Sequence, residues 1–313
     1  MERAGRCCGG GARSCSCKKP RYRGLRMKSC PICTATDLIC RPERLRDSDR
    51  IGVLECRMCS HVFLDNFSHV TTGYYESGAI LLNKPFASNP DERRRHYRHE
   101  NELRTKRIAQ MVTNKRVLDF GCGNGQLLEM VAPLTKSIEG VEPTQTFRLD
   151  LAGRGFDIKS DVSECRGPYD VIYSFHVFEH VPEPVEMLSR LNRLLTPNGT
   201  IFLELPNVND ALVSLYAQPE AQRFHFFLNH LHYFSRNSLM TAIRRAGLVV
   251  EAVTSHQRFS LANHLYWLRH GKPNGHVIWD FLDSEQLSAC YDAALAAADM
   301  SDSLVAVARV PRK

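Results

Sequence analysis

Beyond about residue 100, apolar positions in this chain alternate between two rhythms. Short, nearly continuous apolar runs occur at 117–118, 137–142, 156–159, 169–173 and 200–205, the signature of strands buried on both faces of a parallel sheet. Between them, apolar residues recur at helical spacing. Leu127, Leu128 and Val131 share one face, and a second helix over 187–195 runs up to the stop signal Thr196-Pro-Asn-Gly199. Leu103, Ile108 and Met111 give the highly charged stretch 91–112 one apolar face, which predicts a linking helix packed on the sheet. Strands at 248–253 and 303–310 and a helix over 284–298 complete the C-terminal part. Strands alternating with helices in this way predict an α/β domain with its functional residues at the carboxyl ends of the strands.

One strand end carries most of the chemistry. Residues 117–130 read Val-Leu-Asp-Phe-Gly-Cys-Gly-Asn-Gly-Gln-Leu-Leu-Glu-Met. Asp119 follows the apolar pair, and Gly121, Gly123 and Gly125 let the backbone turn sharply and let a ligand come close. A nicotinamide fingerprint would need glycine at 126, where Gln126 stands. A second acid, Glu142, ends the next strand 23 positions after Asp119, and a carboxylate there is placed to accept both hydroxyls of a ribose. Asp161 ends the third strand, and Phe175 and His176 end the fourth. Taken singly, Asp119 could cap a helix and Glu142 could be a solvated turn residue. Cys122 reads as a small buried filler rather than a nucleophile.

In this order and spacing the segments resemble class I S-adenosylmethionine-dependent methyltransferases, over about residues 113–313. The resemblance implies a doubly wound, Rossmann-like, seven-stranded sheet with an antiparallel last strand. It further implies that Asp119, Gly121, Gly123 and Gly125 hold the methionine part of the cofactor and Glu142 the ribose. Asp161 would meet the adenine amino group, and Phe175 and His176 would border the cofactor.

Ahead of this domain, Cys30-Pro-Ile-Cys33 and Cys56-Arg-Met-Cys59 form two knuckles 22 residues apart. Two such knuckles complete the four-thiolate tetrahedron of a structural Zn²⁺ site, about 2.3 Å from sulfur to metal. Independent redox pairs would need a βαβ context that is missing here. His61 and His69 could stand in for a thiolate, but such residues are more often surface groups. Residues 27–80 are thus expected to form a zinc ribbon and 81–112 the linking region; the arrangement looks like the small zinc module ahead of the catalytic domain in bacterial methyltransferases acting on deoxysugars and surface glycans.

Charge narrows the function. The net charge is +7, but residues 1–26 hold eight basic groups and one acid, and the remainder holds 33 of each sign. That balance disfavours a sequence-independent phosphate grip and with it a nucleic-acid partner. The tail 1–26, with Cys7, Cys8, Cys15 and Cys17, has no periodicity and is expected to be disordered, with Met27 an alternative start. No run of 18 apolar residues and no secretory signal is present, so no membrane span and a cytoplasmic location are expected.

His176-Val-Phe-Glu179-His180 spells a peptidase metal motif, yet that chemistry requires one continuous helix. A strand runs straight into the motif, and Pro182 and Pro184 follow it, so the peptidase reading is rejected. Residues 208–235 exceed a normal connection and are rich in aromatic residues and histidine, which predicts a lid over the substrate. Asn229-His-Leu-His-Tyr-Phe-Ser235 resembles a stretch of sugar C-methyltransferases in which Tyr-x-Glu-His supplies catalytic groups. His230 matches that histidine, whereas Phe227 and Asn229 replace the tyrosine and the glutamate. The expected reaction is therefore methylation of a hydroxyl on a small acceptor, a sugar or nucleotide sugar, with His230 as base. Two alternatives are a zinc-ribbon RNA methyltransferase and a non-catalytic S-adenosylmethionine-binding module. Residues 254–302 are expected to finish the pocket or to form a homodimer face.

Overall fold

The computed structural model describes residues 27–71, 73–77 and 90–312, so the basic tail and its four cysteines lie outside the described residues. The described residues begin with three short strands, β1 (Leu38–Cys40), β2 (Val53–Cys56) and β3 (Val62–Leu64), and continue with the long helix α1 (Pro90–Val112). Then come β4 (Arg116–Phe120), the short helix α2 (Gln126–Val131), β5 (Ser137–Val141), β6 (Ile158–Lys159), β7 (Tyr169–Phe175) and β8 (Leu195–Pro206). The two-residue β9 (His232–Tyr233), β10 (Val249–His256) and β11 (Ser303–Arg309) finish the strands.

Seven of these form one sheet in the order β10-β11-β8-β7-β4-β5-β6. β4 pairs in parallel with β5 on one side and β7 on the other, while β11 runs antiparallel between β8 and β10. Strand order therefore reverses at β4, and the crevice beyond its carboxyl end is where such sheets bind ligands. Ile108 and Val112 of α1 pack with Val117, Leu127, Val131, Val171 and Tyr173, which fixes the linking helix across this end. Among the described residues, no helix is long and apolar enough to cross a membrane.

The small N-terminal sheet is not self-contained. β1, β2 and β3 pair antiparallel, and β3 then pairs with β9, matching Val62 to Tyr233 and Phe63 to His232. The Leu64 N–H donates to the Leu231 carbonyl at 3.0 Å. Leu45, Val53, Val62 and Leu64 of the module share one core with Val208, Val213, Phe226, Leu231 and Tyr233 of the lid. On the other side, Ile32, Cys56, Cys59 and Phe63 continue into a core containing Phe234, Leu239 and Ile243. A segment this small cannot bury enough apolar surface by itself; here it completes its core with the lid and the helix Arg236–Arg245.

One expectation is corrected. His61 is no surface group: it is fully buried in the β3–β9 seam, stacked on Phe63. His232 Nε2 lies 3.3 Å from the Pro182 carbonyl, to which it donates, so its Nδ1 accepts from His61 Nε2 at 3.0 Å. Both imidazoles are neutral, because burial drives the His61 pKa well below its ordinary value and that of His232 down to about 4. Folding lowers the His61 pKa, so below about pH 6.5 the unfolded chain takes up a proton that the folded chain refuses. Its stabilising contribution is complete above that pH and is lost as the pH falls. Urea unfolding of His61→Phe should show a stability slope below pH 6.5 shallower than wild type by up to about 1.4 kcal/mol per pH unit, one proton's worth. Parallel wild-type and variant slopes would contradict this placement.

Candidate functional site

The carboxyl ends of β4, β5, β7 and β8 open into a cavity of about 700 Å³ that is closed by α1, the N-terminal module and the lid. Asp119, Gly121, Gly123, Glu142, Asp161, Phe175, His176 and His230 all line it. Gly125 does not. It stands at φ 73° where the loop enters α2, and a Cβ there would fall 2.1 Å from the buried Leu151. Gly121, at φ 83°, would likewise drive a Cβ to 2.3 Å from Val177, whereas a Cβ on Gly123 would meet nothing within 4 Å. Two glycines thus serve backbone packing, and the middle one keeps the cavity floor open.

The strand-tip acids differ in character. Asp119 is buried, and burial pushes its pKa up to about 8 despite the Tyr173 hydroxyl, which donates to it at 3.0 Å. Glu142 accepts the Gly123 N–H at 2.9 Å on one oxygen and the Thr144 N–H at 2.8 Å on the other. Its carboxylate is thereby fixed in one orientation, with lone pairs remaining on each oxygen. Asp161 caps the short turn Val162–Glu164 by accepting from Ser163 N–H and pairs with Arg190 at 2.7 Å. Partial burial works to raise its pKa, but these partners outweigh it and hold it at about 2.

Histidines and carboxylates occupy the opposite wall. His176 takes a left-handed backbone, φ 54°, which places its ring between Glu204 at 3.3 Å and Glu179 at 3.5 Å. Residues 177–180 form a turn rather than a helix, so the histidines of the His-x-x-Glu-His stretch do not share a helical face. Instead, the Glu179 carboxylate is flanked by three imidazoles: His176, and His180 and His230 at 3.9 Å each. Glu179 is almost fully buried, and among the described residues His176, at 3.5 Å, is the nearest its carboxylate comes to a hydrogen-bond partner. Burial alone would raise its pKa; His176 and His180 reverse the sign, and it stays ionised. Glu204 is lowered in the same manner by His176 and by Arg104 and Arg107 of α1, against its burial.

Several contributors had no recognisable pattern. Arg104 reaches Glu204 at 2.9 Å and lies over the Phe175 ring, 5.1 Å from its centroid. From the module, Arg46 and Tyr75 line the cavity; the Tyr75 hydroxyl donates to the His180 carbonyl at 2.5 Å, and Tyr74 donates to Asn229 Oδ1.

At the knuckles, the four sulfurs of Cys30, Cys33, Cys56 and Cys59 all lie within 4.8 Å of one another, with Cys30 to Cys59 at 3.6 Å and Cys33 to Cys56 at 3.4 Å. Sulfurs set about 2.3 Å from a tetrahedral ion stand about 3.8 Å apart, so the donor set fits Zn²⁺ both in chemistry and in size.

A family model described as a methyltransferase domain matches residues 93–253. The ubiquinone biosynthesis O-methyltransferase of Acinetobacter baylyi is 29% identical over 174 residues, covering 50% of this chain and 72% of that protein. Its counterpart from Pseudomonas aeruginosa is 31% identical over 122 residues, 35% of this chain and 53% of that protein. The chain thus spans about half the length of the Pseudomonas relative. Among solved structures, a complex between the Haloferax volcanii Trm112 methyltransferase activator and a methyltransferase superposes with TM-score 0.50 at 15% identity, over 71% of this chain and 95% of that one. At that identity the likeness speaks to the fold.

The loop geometry orders the glycine substitutions. Gly125→Ala should lower stability by several kcal/mol, since its Cβ would overlap Leu151 in a strained conformation. Gly123→Ala should cost only about 1–2 kcal/mol, the left-handed backbone term. Denaturant midpoints in the reverse order would contradict the assigned roles.

Proposed function

The chain belongs to the methyltransferase-domain family, and from that premise we propose that it moves a methyl group from S-adenosylmethionine to a hydroxyl of a small, sugar-like acceptor. The observation that supports this reading best is one continuous cavity, with a glycine–carboxylate cradle at one end and a histidine-bearing lid at the other.

The cradle fits the cofactor. The open space over Gly123 admits a ligand where a side chain would intrude. Glu142, oriented by two backbone N–H groups, has one lone pair on each oxygen for the two ribose hydroxyls. Burial pushes the Asp119 pKa up to about 8, and the ammonium of the methionine part, placed beside it, would favour its ionised form. In this reading Asp161 meets the adenine, and Phe175 and His176, which line the same cavity, border the cofactor. Bound there, S-adenosylmethionine supplies a sulfonium methyl already activated for displacement.

What remains for the protein is to align the acceptor, keep the site dry and take up one proton. His230, on the lid, is the proposed base, imidazole being the side chain best suited to take up a proton near neutral pH. The buried Glu179 carboxylate 3.9 Å away favours the imidazolium that forms, the role a carboxylate plays behind any catalytic histidine. In the same reading Cys30, Cys33, Cys56 and Cys59 hold a structural Zn²⁺, closed to substrate.

Calorimetry checks the cofactor half. The wild-type chain should bind S-adenosylmethionine, and Glu142→Ala should weaken binding by about 1–3 kcal/mol through lost charge-assisted hydrogen bonds. No binding at millimolar cofactor would sink the reading, and unchanged affinity in the variant would remove Glu142 from the site. For the chemistry, labelled cofactor and fractionated extracts identify the acceptor. On it, His230→Ala should lose roughly 10²–10⁴-fold in turnover with cofactor affinity kept. A loss below about tenfold would take the base assignment away from His230.

A further inference from the structure

Three arginines line the cavity, and they are not equivalent. Arg104 is neutralised by Glu100 at 2.8 Å and Glu204 at 2.9 Å. Arg258 is neutralised by Asp302 at 3.0 Å and Glu100 at 3.2 Å. Arg46, carried into the cavity wall by the N-terminal module, forms no ion pair among the described residues. Its guanidinium instead lies over two lid rings, 4.0 Å from the centroid of Phe227 and 4.8 Å from that of Phe224, and Nη1 donates to the Phe224 carbonyl at 3.2 Å. The adjacent Asp47 attracts Arg46 but forms no ion pair with it; it is exposed and accepts the Leu228 N–H at 3.0 Å.

The remaining acids on the cavity wall are either balanced or belong to the cofactor end. Glu100 has its two arginines, Glu179 its imidazoles and Asp161 its Arg190. Asp119 and Glu142 lie in the glycine cradle, away from the lid. Positive charge without a fixed counterion is thus concentrated where Phe224, Phe227 and His230 face the acceptor. Partial burial already works against the Arg46 charge, and such a cation is costly unless something anionic joins it. A guanidinium stacked on aromatic faces keeps its in-plane N–H donors for a planar, bidentate partner.

We propose that Arg46 is a specificity residue that binds an anionic group, phosphate or carboxylate, on the methyl acceptor. The inference rests on the methyl-acceptor reading of this cavity. It also gives the N-terminal module a direct part in substrate choice. An acceptor of this kind is a sugar carrying a phosphate, or an acid carrying the hydroxyl to be methylated.

The test uses the full chain, with and without S-adenosylhomocysteine, titrated by calorimetry with inorganic pyrophosphate, with benzoate and with neutral benzyl alcohol. One of the anions should bind saturably and the alcohol more weakly. Arg46→Met should weaken that anion roughly ten- to hundredfold while leaving S-adenosylhomocysteine affinity unchanged, and Arg46→Lys should recover part of the loss. Preference for pyrophosphate identifies a phosphate-bearing acceptor, and preference for benzoate a carboxylate. If Arg46→Met does not fold, Arg46→Gln replaces it. The inference is overturned if neither anion binds the wild type, or if the substituted protein binds the anion equally well. Failure of S-adenosylhomocysteine to bind overturns the methyltransferase reading instead, and the anion titration of the cofactor-free chain still decides the Arg46 assignment.

Discussion

The architecture of the site depends on the pairing of β3 with β9. A two-residue strand gains almost nothing from its own backbone bonds, so β9 exists because Val62, Phe63 and Leu64 offer it an edge and an apolar face. The module in turn closes its core against the lid and the helix Arg236–Arg245. Each side supplies what the other lacks, and the product is a rigid roof over the ends of β4 to β8. Tyr75 and Arg46 enter the cavity through this joint, Tyr74 ties it to Asn229, and His230 is held two residues ahead of the paired strand. The Cys₄ cluster stands on the same sheet, so whatever it binds bears on the lid as well.

Inside that roof, charge is balanced in small closed sets rather than by solvent. Glu204 is held ionised by two arginines of α1 and by His176, Glu179 by its imidazoles, and Asp302 by Arg258. Asp119 has the Tyr173 hydroxyl and the pull of Arg104 on its side, but burial outweighs them and pushes its pKa up to about 8. Buried ionic groups that satisfy one another hold geometry, and removing one partner leaves an uncompensated charge. The groups left incompletely balanced, Asp119 at the cradle and Arg46 beside the lid rings Phe224 and Phe227, both line the one cavity. An acid and a cation of this kind suit the cationic cofactor and the anionic acceptor proposed above.

The sheet was legible in the sequence because each buried strand is an apolar run followed by a turn, and βα spacing places the strand tips. Asp119, Glu142, Phe175 and His176 stand together for that reason, and the shared cavity adds Asp161. Boundaries shifted where turn chemistry masked pairing: β8 begins at Leu195, ahead of the Pro-Asn-Gly turn, rather than at Thr200. The joint was not legible. β9 is too short to show a period, and its partner lies about 170 positions earlier. For the same reason His61 looked like a surface group, and Arg46, in irregular chain between β1 and β2, carried no pattern at all. The His-x-x-Glu-His stretch lost its helical meaning to the following prolines, yet it still brings its side chains together, through a turn and the lid rather than along a helix face.

Hydrogen exchange tests most directly whether module and lid form one unit. Amides across β9, together with Leu231 and Phe234, should exchange with the same opening free energy as those of β2 and β3, and Cys56→Ser should lower protection in both groups together while β4 and β7 stay protected. If Cys56→Ser releases β2 and β3 but leaves the β9 amides as slow as in wild type, the lid is held by the catalytic domain alone and the account is wrong.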